Sequence, residues 1–190
     1  MIHDALPSTL DLRFSTDVTG IDNEPDGVQA TLSDGSRLHA DLLVGADGLH
    51  STVRRLVFGA EKRYRHDFGA AVMSFAVDDP PGPLADRTTF LALVGRGVGV
   101  YPQRDNRLAA FFTFATERLQ PDLASGPLPV LHRVYGDLDW AWPELLARAE
   151  TADTLFFDTI SQIRMESWSR HRVVLVGDSA WSVSLLAGYG

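Results

Sequence analysis

Two acidic residues, each closing an apolar run, are the best placed in this chain to do chemistry. Asp178 ends "RVVLVGD" and Asp47 ends "DLLVGAD", with Gly177 before the first and Gly48 after the second. A carboxylate at the carboxyl end of a buried strand can accept hydrogen bonds from ligand hydroxyls, as acidic residues do with a ribose. Gly177 permits a sharp turn, and Gly188 and Gly190, either side of Tyr189, let a ligand come close to the backbone. Arg54, about one and a half helical turns beyond Asp47, can bind a phosphate or fix Asp47 in place. The same residues also fit structural duties. Asp178 suits an N-cap or turn, and Asp47-Gly48 a strand-to-helix turn with Arg54 on its surface.

The elements that must hold these residues are legible from periodicity. Residues 10–43 read as strands, with Val28, Ala30 and Leu32 alternating with polar neighbours and Leu38, Ala40 and Leu42 resuming after the Asp34-Gly35 hairpin signal. "LLVGA" at 42–46 is continuously apolar, the pattern of a strand covered on both faces. Ser51 is an N-cap for a helix with Val53, Leu56 and Val57 on its apolar face, ending at Gly59. Between about 60 and 165, short β-rich runs alternate with Pro, Gly and Asp clusters, which predicts an antiparallel sheet. "WPELLARAE" at 142–150 is a helix with Pro143 at its first position, and residues 155–165 are another strand. "RVVLVG" at 172–177 repeats the buried-strand pattern. The expected organisation is α/β: 1–59 and 166–190 form one partial Rossmann-like domain, and 60–165 form an α+β sheet inserted into it.

Composition narrows the classes. Of 190 residues, 45% are hydrophobic, enough for a real core. The net charge of -8 argues against a nucleic-acid binder, which needs clustered Lys and Arg. Absence of cysteine excludes disulfides and Cys-ligated metals and fits a cytoplasmic setting. The start, "MIHDALPSTL", is not a signal peptide, and no apolar run approaches the ~18 residues of a membrane helix. The histidines at 3, 39, 50, 66, 132 and 171 lack metal-like pairing, so no metal is expected. No G-x-S-x-G elbow marks a hydrolase. Trp140, Trp142 and Trp168 read as core or interface residues. Asp158, Gln162 and Arg164 share a strand that faces either a substrate cavity or solvent. No catalytic acid or base is assigned.

Taken together, "DLLVGADGLHSTVR" at 41–54 and "RVVLVGDSAWSVSLLAGYG" at 172–190 resemble two motifs of the class A FAD-dependent, aromatic-hydroxylase-like monooxygenases. Asp47, Gly48, Ser51 and Arg54 match the family's Asp-Gly motif, and Gly177-Asp178 its Gly-Asp motif. Their order, the β-rich insert between them and the stretch at 16–48 match as well. The resemblance implies FAD as cofactor and NAD(P)H as reductant, with one oxygen atom of O2 transferred to a small-molecule substrate. It implies that Asp178 bonds the ribityl chain, that Gly188, Tyr189 and Gly190 lie beside the isoalloxazine, and that Asp47, Gly48 and Arg54 serve the pyrophosphate. The middle sheet would roof the flavin, with Tyr101-Pro102 at a strand end near it. The cofactor carries that chemistry, and the protein supplies placement and electrostatics. The chain departs from the family at Ser179-Ala180-Trp181, where many members have Ala-Ala-His, and at Leu185 and Tyr189, where Pro and Gln or Met are common.

The family's opening G-x-G-x-x-G turn, which cradles the pyrophosphate, is missing. "GRGVG" at 95–99 has the wrong spacing and reads as a hairpin turn. The expectation is therefore an internal piece of a longer FAD-dependent monooxygenase, one that binds FAD weakly or not at all by itself. Its unpaired sheet edge invites dimerisation. Two rivals remain: a related flavin halogenase or reductase, and a non-enzymatic remnant that binds no flavin alone.

Overall fold

A computed structural model describes residue 7 and residues 9–78, 80, 82–104 and 106–187. The described residues form two compact units, one within 7–66 and 163–183, the other within 67–162 and 184–187.

The first unit begins with an antiparallel sheet in the order β1 (Val18–Glu24), β2 (Gly27–Leu32), β3 (Arg37–Ala40). β2 alternates half-buried and buried residues, placing Val28, Ala30 and Leu32 inward. The β2–β3 turn is the expected Asp34-Gly35 one: Gly35 has φ +83°, and Asp34 Oδ1 accepts from Ser36 N at 2.8 Å. A second sheet has the order β10 (Ser169–Arg170), β11 (Val173–Leu175), β4 (Leu43–Gly45). β11 and β4 run parallel, with Val173 opposite Leu43 and Leu175 opposite Gly45. The two stretches with matching Gly and Asp punctuation are thus adjacent strands whose carboxyl ends emerge side by side.

Helix α1 (Thr52–Val57) follows β4, and Ser51 is its N-cap, accepting from Arg54 N at 2.9 Å. Val53 packs with Val28, Val173, Leu175 and Ala180 in this unit's core. Gly45 permits that approach: a Cβ there would stand 2.7 Å from Leu175 Cδ2 and 2.9 Å from Val53 Cβ. Two sequence expectations are corrected. "LLVGA" is not covered on both faces, since Leu42 and Val44 are 56% and 52% exposed. Only the side facing α1 and β11 is buried, so the continuous apolar run does not mean two-sided burial. The residue buried with Val53 on α1 is Arg54, while Leu56 and Val57 are only half-buried.

The second unit is one antiparallel sheet in the order β6-β7-β8-β5-β9. Its strands are β5 (Arg65–Asp78), β6 (Thr89–Leu93), β7 (Arg96–Pro102), β8 (Arg107–Ala115) and β9 (Leu155–Ile163). "GRGVG" is the expected β6–β7 hairpin: Leu93 pairs with Arg96, and Gly95 takes φ +75°. Beyond the short helix α2 (Gly82–Ala85), three helices follow β8: α3 (Leu119–Ser125), α4 (Pro127–Tyr135) and α5 (Trp142–Ala149). Val130, Leu131, Tyr135, Trp142, Leu145 and Leu146 bury against Met73, Phe75, Val100, Leu108 and Phe112. Phe112 stacks on Phe75 at 5.7 Å and meets Tyr135 edge-on at 4.9 Å. Burial pushes the Tyr135 phenol well above its usual pKa, and its hydroxyl donates to Thr113 O at 2.7 Å. Helices α3 and α4 escape a reading by breakers because prolines fall at 121, 127 and 129. Pro127 opens α4, where a missing N–H does no harm. No helix among the described residues is long and apolar enough to cross a membrane.

Replacing Gly45 by Ala forces a methyl group into Leu175 and Val53. The expected destabilisation is about 1–3 kcal/mol, seen as an earlier thermal transition in near-ultraviolet circular dichroism; an unchanged midpoint would contradict the close packing described.

Candidate functional site

The first unit brings the two turns together. Asp47 follows β4 and Gly177 follows β11, one strand apart. Gly48 and Gly177 both adopt positive φ, +77° and +58°, and neither has a heavy atom within 4 Å of where a Cβ would stand. Both bends are therefore open on the side where a side chain would otherwise project, and only glycine takes such φ values without strain.

The two carboxylates do different things. Asp47 accepts from Ser51 Oγ at 2.5 Å and from Val53 N at 2.9 Å. It thereby caps the start of α1, where an acid also meets the positive end of the helix dipole. Asp178 is exposed. Its backbone lies in the 3-10 turn Gly177–Ser179, and among the described residues no hydrogen bond or ion pair engages its carboxylate. It is the acceptor this site leaves available.

Between them lies Arg54, 0% exposed. Its Nη1 donates to Ser179 O at 2.9 Å, and its Nη2 to Leu49 O at 2.5 Å and to Glu61 Oε2 at 3.2 Å. Its Nε is buried without a partner. One guanidinium thus ties the backbone of the Asp-Gly loop to that of the Gly-Asp turn, 125 residues away in sequence. Burial draws its pKa down, opposed chiefly by the charges of Glu61 and Asp47. Arg54, which the resemblance assigns to the pyrophosphate, is fully buried here, with both terminal nitrogens donating to protein acceptors that join the two loops. Ser179 reinforces the joint, donating to Gly45 O at 2.6 Å, with Val176 O also at 2.6 Å.

Glu61, in the 3-10 turn Glu61–Arg63 after α1, escaped the sequence reading. "AEKRYR" looks like a solvated charged turn. Yet Glu61 also accepts from Arg65 Nη1 at 2.9 Å and stands 3.1 Å from His50 Nδ1. Burial pushes its carboxyl upward, but the hydrogen bonds and charges of Arg65 and His50 outweigh this and hold it below the usual range. Gly188, Tyr189 and Gly190 lie outside the described residues. Tyr101, in the second unit, is 40% exposed, its ring edge-on to Phe90 at 5.3 Å. Trp142 is core, whereas Trp140 and Trp168 are exposed and pair with Trp142 and Trp181 at 5.9 Å in each case.

A parallel strand pair with glycine bends at its carboxyl ends, a capped helix after one strand and an open acid after the other is the arrangement in which α/β sheets place ligands, beyond the carboxyl ends of their strands. Comparison with known proteins makes the assignment specific. The family model described as "FAD binding domain" matches residues 1–190, and the chain belongs to this FAD-binding-domain family. An uncharacterized protein of Mycobacterium tuberculosis is 31% identical over 200 residues, covering 100% of this chain and 52% of the relative. A protein named flavin-dependent monooxygenase from Legionella longbeachae is 27% identical over 180 residues, covering 93% of this chain and 46% of its own length. Among solved structures, Klebsiella pneumoniae HpxO complexed with FAD and uric acid matches with TM-score 0.72 and 27% identity, over 94% of this chain and 46% of that one. The chain spans about half the length of the curated relatives it matches.

The lowered Glu61 carboxyl has a signed consequence. A folded-state pKa below the unfolded one gives stability that is present above the unfolded carboxylate range and lost as pH falls from that range through the lowered folded-state pKa. Denaturant midpoints should therefore drop as pH falls through that range, and Glu61→Gln should flatten the drop. An unchanged slope in the variant would show that Glu61 is not the titrating group.

Proposed function

We propose that this chain is part of an FAD-dependent monooxygenase that hydroxylates an aromatic or polyketide-like small molecule, with NAD(P)H as reductant and O2 as oxidant. The observation that carries the reading is the exposed carboxylate of Asp178, which no hydrogen bond or ion pair engages among the described residues, held on a positive-φ glycine bend beside the Asp-Gly loop. Residues present in the first unit fit the cofactor: an open acceptor for ribityl hydroxyls at Asp178, and side-chain-free bends at Gly48 and Gly177 where a phosphate chain can pass. FAD, when bound, would supply the redox chemistry, accepting hydride from NAD(P)H and activating O2.

The chain's own residues have distinct parts in this reading. Asp178 accepts hydrogen bonds from the ribityl chain. Asp47 holds α1 in place rather than meeting the anionic cofactor, which its charge would repel. Arg54 keeps the two bends at a constant separation. In the second unit, the sheet face turned away from α4 and α5 carries one in-register row, Phe90, Gly99, Phe111 and Ser74. Phe90 is 64% exposed, and Gly99 leaves room for it, since a Cβ at 99 would stand 3.0 Å from Phe90 Cε1. Aromatic rings over a glycine floor suit a planar apolar substrate, and the uric acid in the HpxO structure supports a small planar ring system as the substrate class.

The test is a titration of the purified chain with FAD, followed by flavin fluorescence and absorbance. Weak but saturable binding is expected, because the sequence lacks the G-x-G-x-x-G cradle. Asp178→Ala should weaken it at least tenfold, about 1.4 kcal/mol or more. If no FAD concentration gives saturation, the chain does not hold flavin by itself and the activity is to be sought in the longer enzyme of which it would be a part; equal affinity in Asp178→Ala would remove Asp178 from the site.

A further inference from the structure

We propose that Glu61 is a positioning residue of the flavin site: it neutralises the buried guanidinium of Arg54 and thereby keeps the Asp-Gly loop and the Gly-Asp turn in register. This rests on the reading of those two turns as the cofactor's seat. Nothing in the two sequence motifs includes Glu61, which stands seven residues beyond Arg54.

The geometry assigns the role. Arg54 reaches both turns, through Leu49 O and Ser179 O. Those carbonyls supply dipoles but no countercharge, and a buried cation held by dipoles alone is strongly destabilising. Glu61 is the only carboxylate to which any described hydrogen bond of Arg54 runs. Asp47, the other acid nearby, adds its charge without a hydrogen bond to Arg54, its oxygens accepting from Ser51 and Val53. Glu61 is itself fixed from two further sides. Its Oε1 accepts from Arg65 Nη1 at 2.9 Å, and His50 Nδ1 lies 3.1 Å away. His50 belongs to the Asp-Gly loop, so this loop is held twice, by its Leu49 carbonyl through Arg54 and by its His50 ring through Glu61. With side-chain exposures of 0% for Arg54, 17% for Arg65 and 25% for Glu61, the cluster is screened far less than a surface ion pair. Losing the charge at 61 leaves Arg54 to draw water or shift toward solvent, and either movement releases both carbonyls.

Amide hydrogen exchange on the whole chain tests this without any cofactor. Three amides report the two turns. Val53 N bonds Asp47 Oδ2 at 2.9 Å, and Ala180 N and Trp181 N both bond Gly177 O at 3.0 Å. In Glu61→Gln these should exchange at least tenfold faster, while amides of β8 such as Phe112 stay at the wild-type rate. Glu61→Asp, which keeps the charge, should hold all three near wild-type protection. Arg54→Met should loosen the same amides, and adding Glu61→Gln to it should bring less than the sum of the two separate changes, since they share the Arg54–Glu61 contact while Glu61 also holds His50. The proposal is overturned if the change in Glu61→Gln stays within residues 61–65, if Glu61→Asp exchanges like Glu61→Gln, or if the two substitutions add. Should Glu61→Gln loosen the whole chain, the comparison of Glu61→Asp with wild type decides. FAD titration of the same variants separates the two readings: loosened turns in Glu61→Gln with FAD affinity unchanged from wild type would retain Glu61 as the joint's countercharge and refute the flavin seat.

Discussion

A single buried positive charge constrains the first unit of this protein. Arg54 has no exposed surface, and a guanidinium taken out of water must find acceptors for its donors and a countercharge for itself. The chain answers by turning two backbone carbonyls inward, Leu49 O from one loop and Ser179 O from the other, and by placing Glu61 within 3.2 Å. Because those carbonyls lie 125 and five residues from Arg54 in sequence, satisfying one side chain brings together the two segments that carry the acidic residues.

Around that joint, backbone freedom and close packing divide the work. Gly45 lets α1 lie against β11 with no side chain between them, while Gly48 and Gly177 bend the chain away with nothing facing them. The hydroxyl of Ser179 lies within 2.6 Å of carbonyls on both strand ends. The result separates the two acids by function. Asp47 is consumed by the helix it caps, and Asp178 is left open. The second unit solves its own problem with an independent core of sheet and helices centred on Phe112 and Tyr135, which leaves the other face of its sheet to aromatic and small residues.

Much of this was legible in the chain itself, and the failures have physical causes. Both hairpin turns, the Ser51 cap and the two matching strands could be read because each depends on residues close in sequence: a glycine at positive φ, a hydroxyl three residues from an amide, an apolar run before a bend. Helices α3 and α4 were not read, because prolines that break a helix interior are harmless in its first turn. Leu42 and Val44 looked buried because hydrophobicity reports what a residue prefers, not what covers it. The burial of Arg54 is not readable from its neighbours in sequence for the converse reason, since charge normally signals solvent and one of its acceptors, Ser179 O, comes from a segment 125 residues away.

The sequence by itself determined the family, the α/β class, the two glycine bends and the identity of the acids beside them, since these rest on local spacing and on backbone freedom that glycine alone provides. Only the tertiary structure decided which acid is spent and which is open, that Arg54 is a joint, and that Glu61 belongs to it. Those outcomes depend on burial and on contacts across as many as 125 residues. The energy of a charge is set by the groups that surround it once the chain has folded, and the spacing of letters along the chain does not contain it.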